Sequence, residues 1–188
     1  IHGDAIIAGN WTDYGYGGGI KAGDNYDVTI SDNAMITMNK AESWAGGIDA
    51  GNPAHPLIVE GGQITGNISG GVYLGGGGIN TNGIQMSDGI VAGNVSERHE
   101  GGGIRVNGGK SRITGGYITN NTTNTQDDWG GGGLFVSQGS SMEIQNLMVT
   151  GNPAQGLGGR VPGCSTGKVA IAATDGMARF DKTAGQET

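Results

Sequence analysis

The chain has 188 residues, of which 42 are glycine and only 4 are proline, and its formal net charge is −7 at pH 7. Glycine follows no strict G-X-Y period, which excludes collagen. Lys and Arg never cluster, which argues against a nucleic-acid surface, because such a surface needs basic side chains to displace counterions from phosphates. No apolar run approaches the roughly 18–20 residues that cross a bilayer, so we expect no membrane insertion by this segment.

Two marks recur along the chain at nearly the same spacing. One is the apolar residue after each glycine cluster, and the other is the asparagine that closes stretches such as "IIAGN" and "MITMN". The first mark falls at Ile20, Ile48, Ile79, Ile104, Leu134 and Val161. The second mark falls at Asn10, Asn39, Asn67, Asn94, Asn121 and Asn152. A shared period of about 28 residues indicates a solenoid and not a flexible linker.

Each unit contains three predicted strands. In the second unit they read "IDA" after the glycines, then "LIV", then "QITGN" at the asparagine. Side chains alternate across a strand, so Ile48 and Ala50 are predicted to face inward and Asp49 outward. Stretches such as "SDNA" and "SDG" between the last two strands favour turns. No segment has sustained i, i+3, i+4, i+7 apolar spacing, so we expect very little helix.

Three short strands cannot bury themselves alone, but strands stacked on their equivalents in the next unit form a parallel β-helix with ~4.8 Å of rise per coil. Right-handed winding follows from the chirality of parallel crossovers. We therefore predict one all-β domain over residues 1–188, a right-handed parallel β-helix of about 6–7 coils, the last ending in "ARFDK". A propeller would need a longer period, ~40–50 residues. Because the chain begins with Ile1 and not Met, we expect a segment of a longer protein with flanking domains.

The glycines and asparagines are assigned to the coil corners. Glycine adopts backbone angles closed to other residues and lets adjacent coils approach closely. Stacked asparagines are expected to hydrogen-bond along the axis as a ladder. A third, outward column consists of Thr37, Thr65, Thr119 and Thr150, with Ala8 and Ala92 interrupting it. A broken row of this kind is interpreted as β-propensity and not as an ice-binding array.

The combination of I/V-T-G-N with GGG-I/L at this period resembles the repeats of chlamydial polymorphic outer-membrane proteins and related pectin-lyase-like β-helices. It is also similar to the β-helices of large surface proteins from gut bacteria, which include glycosidases of the lacto-N-biosidase type. The resemblance covers nearly the whole chain and implies an extracellular or bacterial cell-surface location. The matching motifs are structural, and many activities occur on this fold, so no catalytic signature is carried over.

The variable part of each unit is the loop between the asparagine and the glycines, and we expect these loops to form one wall along the axis. Next to them, the outward positions after the glycines form a predicted column of Lys21, Asp49, Asn80, Arg105 and Phe135. Rings beside carboxylates and amides suit sugars, because rings stack on pyranose faces while polar groups bind hydroxyls. The candidate substrate-binding residues are Tyr16, Trp44, Tyr73, His99, Arg105 and Trp129. Solvated loops without a ligand are the competing interpretation.

If the wall is an enzyme, the reaction predicted is glycoside hydrolysis by a carboxylate pair. Glu42 and Asp49 flank one glycine corner and are the first candidates, followed by Asp127 and Asp128, with Asp13 a weaker third. The chain has 17 acidic residues, so such pairs also arise by chance. A polysaccharide lyase would instead need a Lys or Arg base, for which Lys21 and Arg105 are conceivable.

No cofactor and no metal site are predicted. His2, His55 and His99 lie in different units without ligand spacing. Calcium is the one ion considered, on Asp24, Asp27 and Asp32, but their spacing is not that of a calcium-binding loop, and we interpret them as turn-formers. Three functions stay open: a glycan-binding wall of an adhesin, a glycosidase or polysaccharide lyase acting on host or plant glycans, and a passive stalk.

Overall fold

The computed structural model describes residues 1–125, 130–137, 139–155 and 168–171, the last by its backbone alone. The final predicted unit, with "ARFDK", lies outside these residues. The strands are β1 Ile6–Ala8, β2 Trp11–Thr12, β3 Ile20–Lys21, β4 Thr29–Ile30, β5 Met35–Thr37, β6 Lys40–Ala41, β7 Ile48–Asp49, β8 Leu57–Thr65, β9 Ile68–Ser69, β10 Ile79–Thr81, β11 Ile84–Ala92, β12 Val95–Ser96, β13 Ile104–Val106, β14 Lys110–Ile113, β15 Tyr117–Thr119, β16 Thr122–Thr123, β17 Leu134–Val136, β18 Ser141–Ile144, β19 Met148–Thr150 and β20 Lys168–Ile171. The described residues contain no helix, and hence none that could cross a membrane.

These strands form three parallel sheets that wind as a β-solenoid of about five turns. Sheet 1 contains β3, β7, β10, β13 and β17, sheet 2 contains β2, β6, β9, β12 and β16, and sheet 3 contains the other ten strands. The predicted all-β parallel β-helix is confirmed. The described turns are fewer than the 6–7 expected, because most of the chain after residue 155 lies outside the described part.

Equivalent apolar residues lie directly over one another, as the repeat predicts. In sheet 1, Ile48 pairs with Ile20 on one side and with Ile79 on the other, and the row continues to Ile104 and Leu134. Ile48, Ile79 and Ile104 have no exposed surface at all. Burying each such side chain stabilises the fold by about 1.5–3 kcal/mol. One continuous row of aliphatic side chains therefore holds the coils together.

The division of each coil into strands differs from the prediction in two respects. The predicted second and third strands lie in one sheet, and in two coils they join into nine-residue strands, β8 and β11. In β11 the segment "SDG" lies inside the strand, where the pairing register shifts around Asp88, whereas Asp32 and Asn33 of "SDNA" form a turn. An extra residue can be absorbed as a bulge without ending the strand, so the same turn-forming residues give two outcomes.

Sheet 2 is built from residues that were assigned to loops. The two residues after each corner asparagine form its strands. In four consecutive coils the second of them is fully buried: Ala41, Ser69, Ser96 and Thr123. Two residues are too few to show a period-2 pattern, so only the structure identifies them as strands.

The corner asparagines form the predicted hydrogen-bonded ladder. The Nδ2 atom of each donates to the Oδ1 atom of the next at 2.8–3.0 Å, from Asn10 through to Asn152. The same Oδ1 also accepts the backbone N–H of the preceding asparagine at 2.9–3.0 Å. The second Nδ2 hydrogen donates to a backbone carbonyl of the preceding coil, such as Ile36 O from Asn67. The ladder therefore satisfies these buried amides without water.

The threonine column is also in register. Thr37 pairs with Thr65 across adjacent coils, and Thr119 pairs with Thr150. The Thr65 hydroxyl lies 3.1 Å from that of Thr37, whereas Ala92 separates Thr65 from Thr119. The row is therefore real but interrupted, as the sequence indicates.

Candidate functional site

The second residue of each sheet 1 strand belongs to a polar column on the outer side of the sheet. In chain order the column is Lys21, Asp49, Asn80, Arg105 and Phe135, each in register with the next. The predicted order and alignment of these residues are confirmed. Asp49, Asn80 and Arg105 do not belong to the apolar core, yet only 4–5% of their surface is exposed, because other parts of the coils cover them.

Buried polar groups need partners, and these residues supply them to one another. Lys21 Nζ lies 2.7 Å from Asp49 Oδ2. The other oxygen of Asp49, Oδ1, accepts a hydrogen bond from Asn80 Nδ2 at 2.8 Å. Asn80 Oδ1 in turn accepts a hydrogen bond from Arg105 Nη1 at 3.2 Å. The four polar residues of the column thus form one continuous hydrogen-bonded chain across four coils.

The Arg105 end of the column is closed by protein groups. Arg105 Nε donates to Glu100 Oε1 at 2.9 Å, and Nη2 donates to Asn107 Oδ1 at 3.3 Å. The guanidinium carbon lies 5.9 Å from the centre of the Phe135 ring, a cation–π distance. His99 Nδ1 is 3.5 Å from the other Glu100 oxygen. Arg105, predicted as a substrate-binding residue, therefore makes three hydrogen bonds and a cation–π contact inside the protein, and a role in binding stays a prediction.

The Lys21 end of the column lies beside two rings. The centres of the Tyr16 and Trp44 rings are 4.9 Å apart with an interplanar angle of 49°. These residues come from equivalent loops of adjacent coils, so the repeat places one above the other. Lys21 Nζ is 5.0 Å from the centre of the Tyr16 ring. Tyr16 is 49% exposed, and Trp44 is partly exposed. A partly accessible pair of rings thus adjoins the polar column.

These groups surround a pocket of about 190 Å³. Its lining residues are Tyr16, Lys21, Ala22, Asp24, Trp44, Asp49, Ala50, Gly51, Asn80, Thr81 and Asn82. The pocket spans three coils and combines an aromatic surface with a cation, two carboxylates and two amides. Five of the residues in the predicted loop wall and column meet here: Tyr16, Trp44, Lys21, Asp49 and Asn80. We name it the ring pocket.

Glu42 and Asp49, the first candidate catalytic pair, do not lie in the same site. Glu42 Oε1 lies 2.8 Å from Lys40 Nζ, and Glu42 does not line the ring pocket, whereas Asp49 does. The hydrogen bond to Glu42 raises the pKa of Lys40 above its usual value, against the lowering effect of burial, and the charge of Glu97 adds to the rise. A catalytic role for Glu42 and Asp49 stays a prediction.

The other predicted site residues lie elsewhere. Tyr73 is 67% exposed and is not part of the pocket lining, and His99 is beside Glu100. Asp127, Asp128 and Trp129 lie outside the described residues.

Among the lining residues with a carboxylate or amide side chain, Asp24 and Asn82 were not candidates for this site. Asp24 was interpreted as a turn-former, and Asn82 was not singled out. Both closely follow a sheet 1 strand, β3 for Asp24 and β10 for Asn82. That position beside the column is a signal that could have identified them.

A second pocket, of about 160 Å³, lies on sheet 3. Its lining includes Ile58, Glu60, Gln85 and Arg112, but no aromatic ring. Arg112 is already paired with Glu143, with Nε 3.3 Å from Oε2. The sheet 3 pocket has no ring on which a sugar could stack, so we regard the ring pocket as the better candidate for a sugar.

The chain matches no protein-family model, no curated protein and no solved structure. Within the described ranges, no three His, Cys, Asp or Glu side chains are grouped so that they could hold a metal ion. The geometry of the ring pocket is therefore the basis on which a function can be proposed.

Proposed function

We propose that this chain is a segment of an extracellular bacterial β-helix protein, akin to the pectin-lyase-like surface repeats that its motifs resemble, and that its ring pocket binds glycans. The observation that supports this most directly is the pair formed by Tyr16 and Trp44, 4.9 Å apart, next to the polar column. Aromatic faces supply apolar area at low entropic cost, and their polar neighbours fix the orientation of a ligand.

The fold makes such a pocket pre-organised. Lys21, Asp49 and Asn80 are on strands that pair in register, and each side chain is bonded to the next. A ligand would therefore meet a surface that is already ordered, and binding would not have to order these side chains. We propose adhesion to oligosaccharides as the activity, with no cofactor.

Hydrolysis is a weaker candidate in this proposal, since both oxygens of Asp49 are already bonded to Lys21 and Asn80. A glycosidase also needs a second carboxylate across the glycosidic bond, and Glu42, the predicted partner of Asp49, does not line the pocket. A passive stalk would need no ring pocket, but it is the function left if no glycan binds.

Replacing Trp44 with alanine is expected to weaken glycan binding about tenfold, because a ring contact contributes about 0.5–1.5 kcal/mol beyond the area it buries. The full chain, displayed multivalently on a glycan array, identifies the glycan, and calorimetric titration then compares the variants. Binding of the intact chain should be weak and insensitive to salt, since stacking involves no net charge.

Trp11→Ala is the matched control. Trp11 is 66% exposed on β2 and does not line the pocket, so its loss should leave affinity unchanged. Tyr16→Ala, at a more exposed ring, tests the same surface if the Trp44 variant is poorly folded by circular dichroism. An array with no positive glycan, or equal affinity of the Trp44, Tyr16 and Trp11 variants, would refute the proposal.

A further inference from the structure

We infer that the ring pocket selects an electrically neutral sugar ring over one that bears a carboxylate, such as a uronic acid. This inference rests on the proposed function and adds the class of ligand to it. Its basis is the set of charges that line the pocket and the way in which they are already paired.

Three charged side chains line the pocket, Lys21, Asp24 and Asp49, and their charges do not sum to zero. Lys21 Nζ is neutralised by Asp49 at 2.7 Å, whereas Asp24 is exposed and has no cationic partner among the residues that the structure describes. The pocket therefore carries a net charge of −1, from one Lys and two Asp, on a chain whose formal net charge is −7. A second carboxylate brought within several ångströms of Asp24 would be repelled, and the repulsion would weaken with added salt.

Lys21 is the one cation in the pocket lining that could attract a ligand carboxylate, but separating it from Asp49 is energetically unfavourable. The Asp49 side chain is 8% exposed, and Lys21 is its only cationic partner in the described part of the chain. If a ligand carboxylate drew the ammonium away, Asp49 would keep only the hydrogen bond from Asn80. Leaving a buried carboxylate without its counter-charge is strongly unfavourable, so Lys21 stays paired with Asp49. A ligand carboxylate could reach only the remaining N–H groups of an ammonium whose charge Asp49 already balances, in a pocket that Asp24 also lines.

The size of the pocket limits how much of a glycan it can hold. At about 190 Å³ it is smaller than the ≈ 300–1,000 Å³ of ordinary ligand sites. One ring stacked on Tyr16 and Trp44 would fill it, and the rest of an oligosaccharide would lie outside. The hydroxyls of that ring would find the remaining Lys21 N–H groups, the Asp24 carboxylate as an acceptor, and the exposed Asn82 amide.

The test uses polymer-displayed sugars in pairs, one neutral and one with a free carboxylate at the same position. The pairs are glucoside against glucuronide and galactoside against galacturonide, each linked to the polymer through its anomeric oxygen. At low salt, the neutral member of the pair that binds is expected to bind at least about threefold more tightly than its uronide. The ratio of neutral-sugar affinity to uronide affinity should fall toward one as the ionic strength is raised. Added salt shortens the screening length below about 10 Å, which weakens the repulsion between the two carboxylates.

Asp24→Asn assigns this ratio to its source. The variant removes the negative charge but keeps an acceptor oxygen at the same position, so the ratio of neutral-sugar affinity to uronide affinity should narrow by at least about twofold; this ratio, and not either affinity alone, is the readout. Asp13→Asn, which removes an exposed carboxylate that does not line the pocket, is the matched control and should leave the ratio as it is.

The outcomes separate the two proposals. If uronides bind as well as neutral sugars, or better, the selectivity is wrong and glycan binding stands. If the ratio is unchanged in Asp24→Asn, the charge argument is wrong. If no ligand of either pair binds and the glycan array is also blank, both proposals fail together.

Discussion

Replacing Gly77 with alanine is expected to prevent the central coils from stacking and to cost more than about 3 kcal/mol of folding free energy. A Cβ built on Gly77 would lie 2.5 and 2.6 Å from the carbonyl carbon and oxygen of Val95, and still closer to the carbonyl oxygen of Gly102. All these atoms are backbone, in the next coil, so no side-chain rotation can relieve the overlap. The methyl group would have to push two coils apart.

The same crowding recurs around Gly46 and Gly102, so it is a property of the corner and not of one residue. Gly23→Ala is the matched control, because a Cβ there would meet only the Tyr26 ring, at 3.4 and 3.5 Å. We expect that variant to stay within about 0.5 kcal/mol of the original protein. Urea unfolding followed by circular dichroism measures both. Equal midpoints for the Gly77 and Gly23 variants would refute the close-approach role of the corner glycine.

The repeat alone was sufficient to predict which residues lie over one another. Ile48 and Ile79 occupy the same position after a glycine cluster, and the structure pairs them directly. Because parallel coils convert sequence period into spatial register, the column through Lys21 and Asp49 and the contact between Tyr16 and Trp44 follow from the same rule. The register between coils depends only on the spacing of the repeats along the chain, so it can be predicted from the sequence.

What covers each side chain could not be predicted in this way. Alternation places Arg105 on the outer side of its strand, but it does not reveal that Glu100, Asn107 and Phe135 enclose it. The paths of the irregular loops decide this, and the loops differ from coil to coil. For the same reason Asp24 and Asn82 were not selected as pocket residues, although their position just after a sheet 1 strand places them beside the column.

Replacing Asn67 with alanine is expected to cost about 3–5 kcal/mol, since each buried polar group left without a partner costs about 1–3 kcal/mol. Asn67 Oδ1 accepts two hydrogen bonds from Asn39, one from its backbone N–H and one from Nδ2, each at 3.0 Å. Asn67 Nδ2 donates to Ile36 O and to Asn94 Oδ1, each at 2.9 Å. Asn39 and Asn67 are both fully buried, so water cannot replace the hydrogen bonds that the substitution removes.

The position in the ladder, and not the residue type, sets this cost. Asn10→Ala is the matched control, because Asn10 is exposed and its backbone N–H keeps its bond to Asn39 Oδ1, so we expect a loss of less than about 1 kcal/mol. Urea unfolding gives the two free energies, and hydrogen exchange gives a local measurement at the Asn39 amide. That amide should lose its protection when Asn67 is replaced and keep it when Asn10 is replaced. If it stays protected in both variants and the two free energies agree, the coils are held by aliphatic stacking alone and the ladder adds nothing to it.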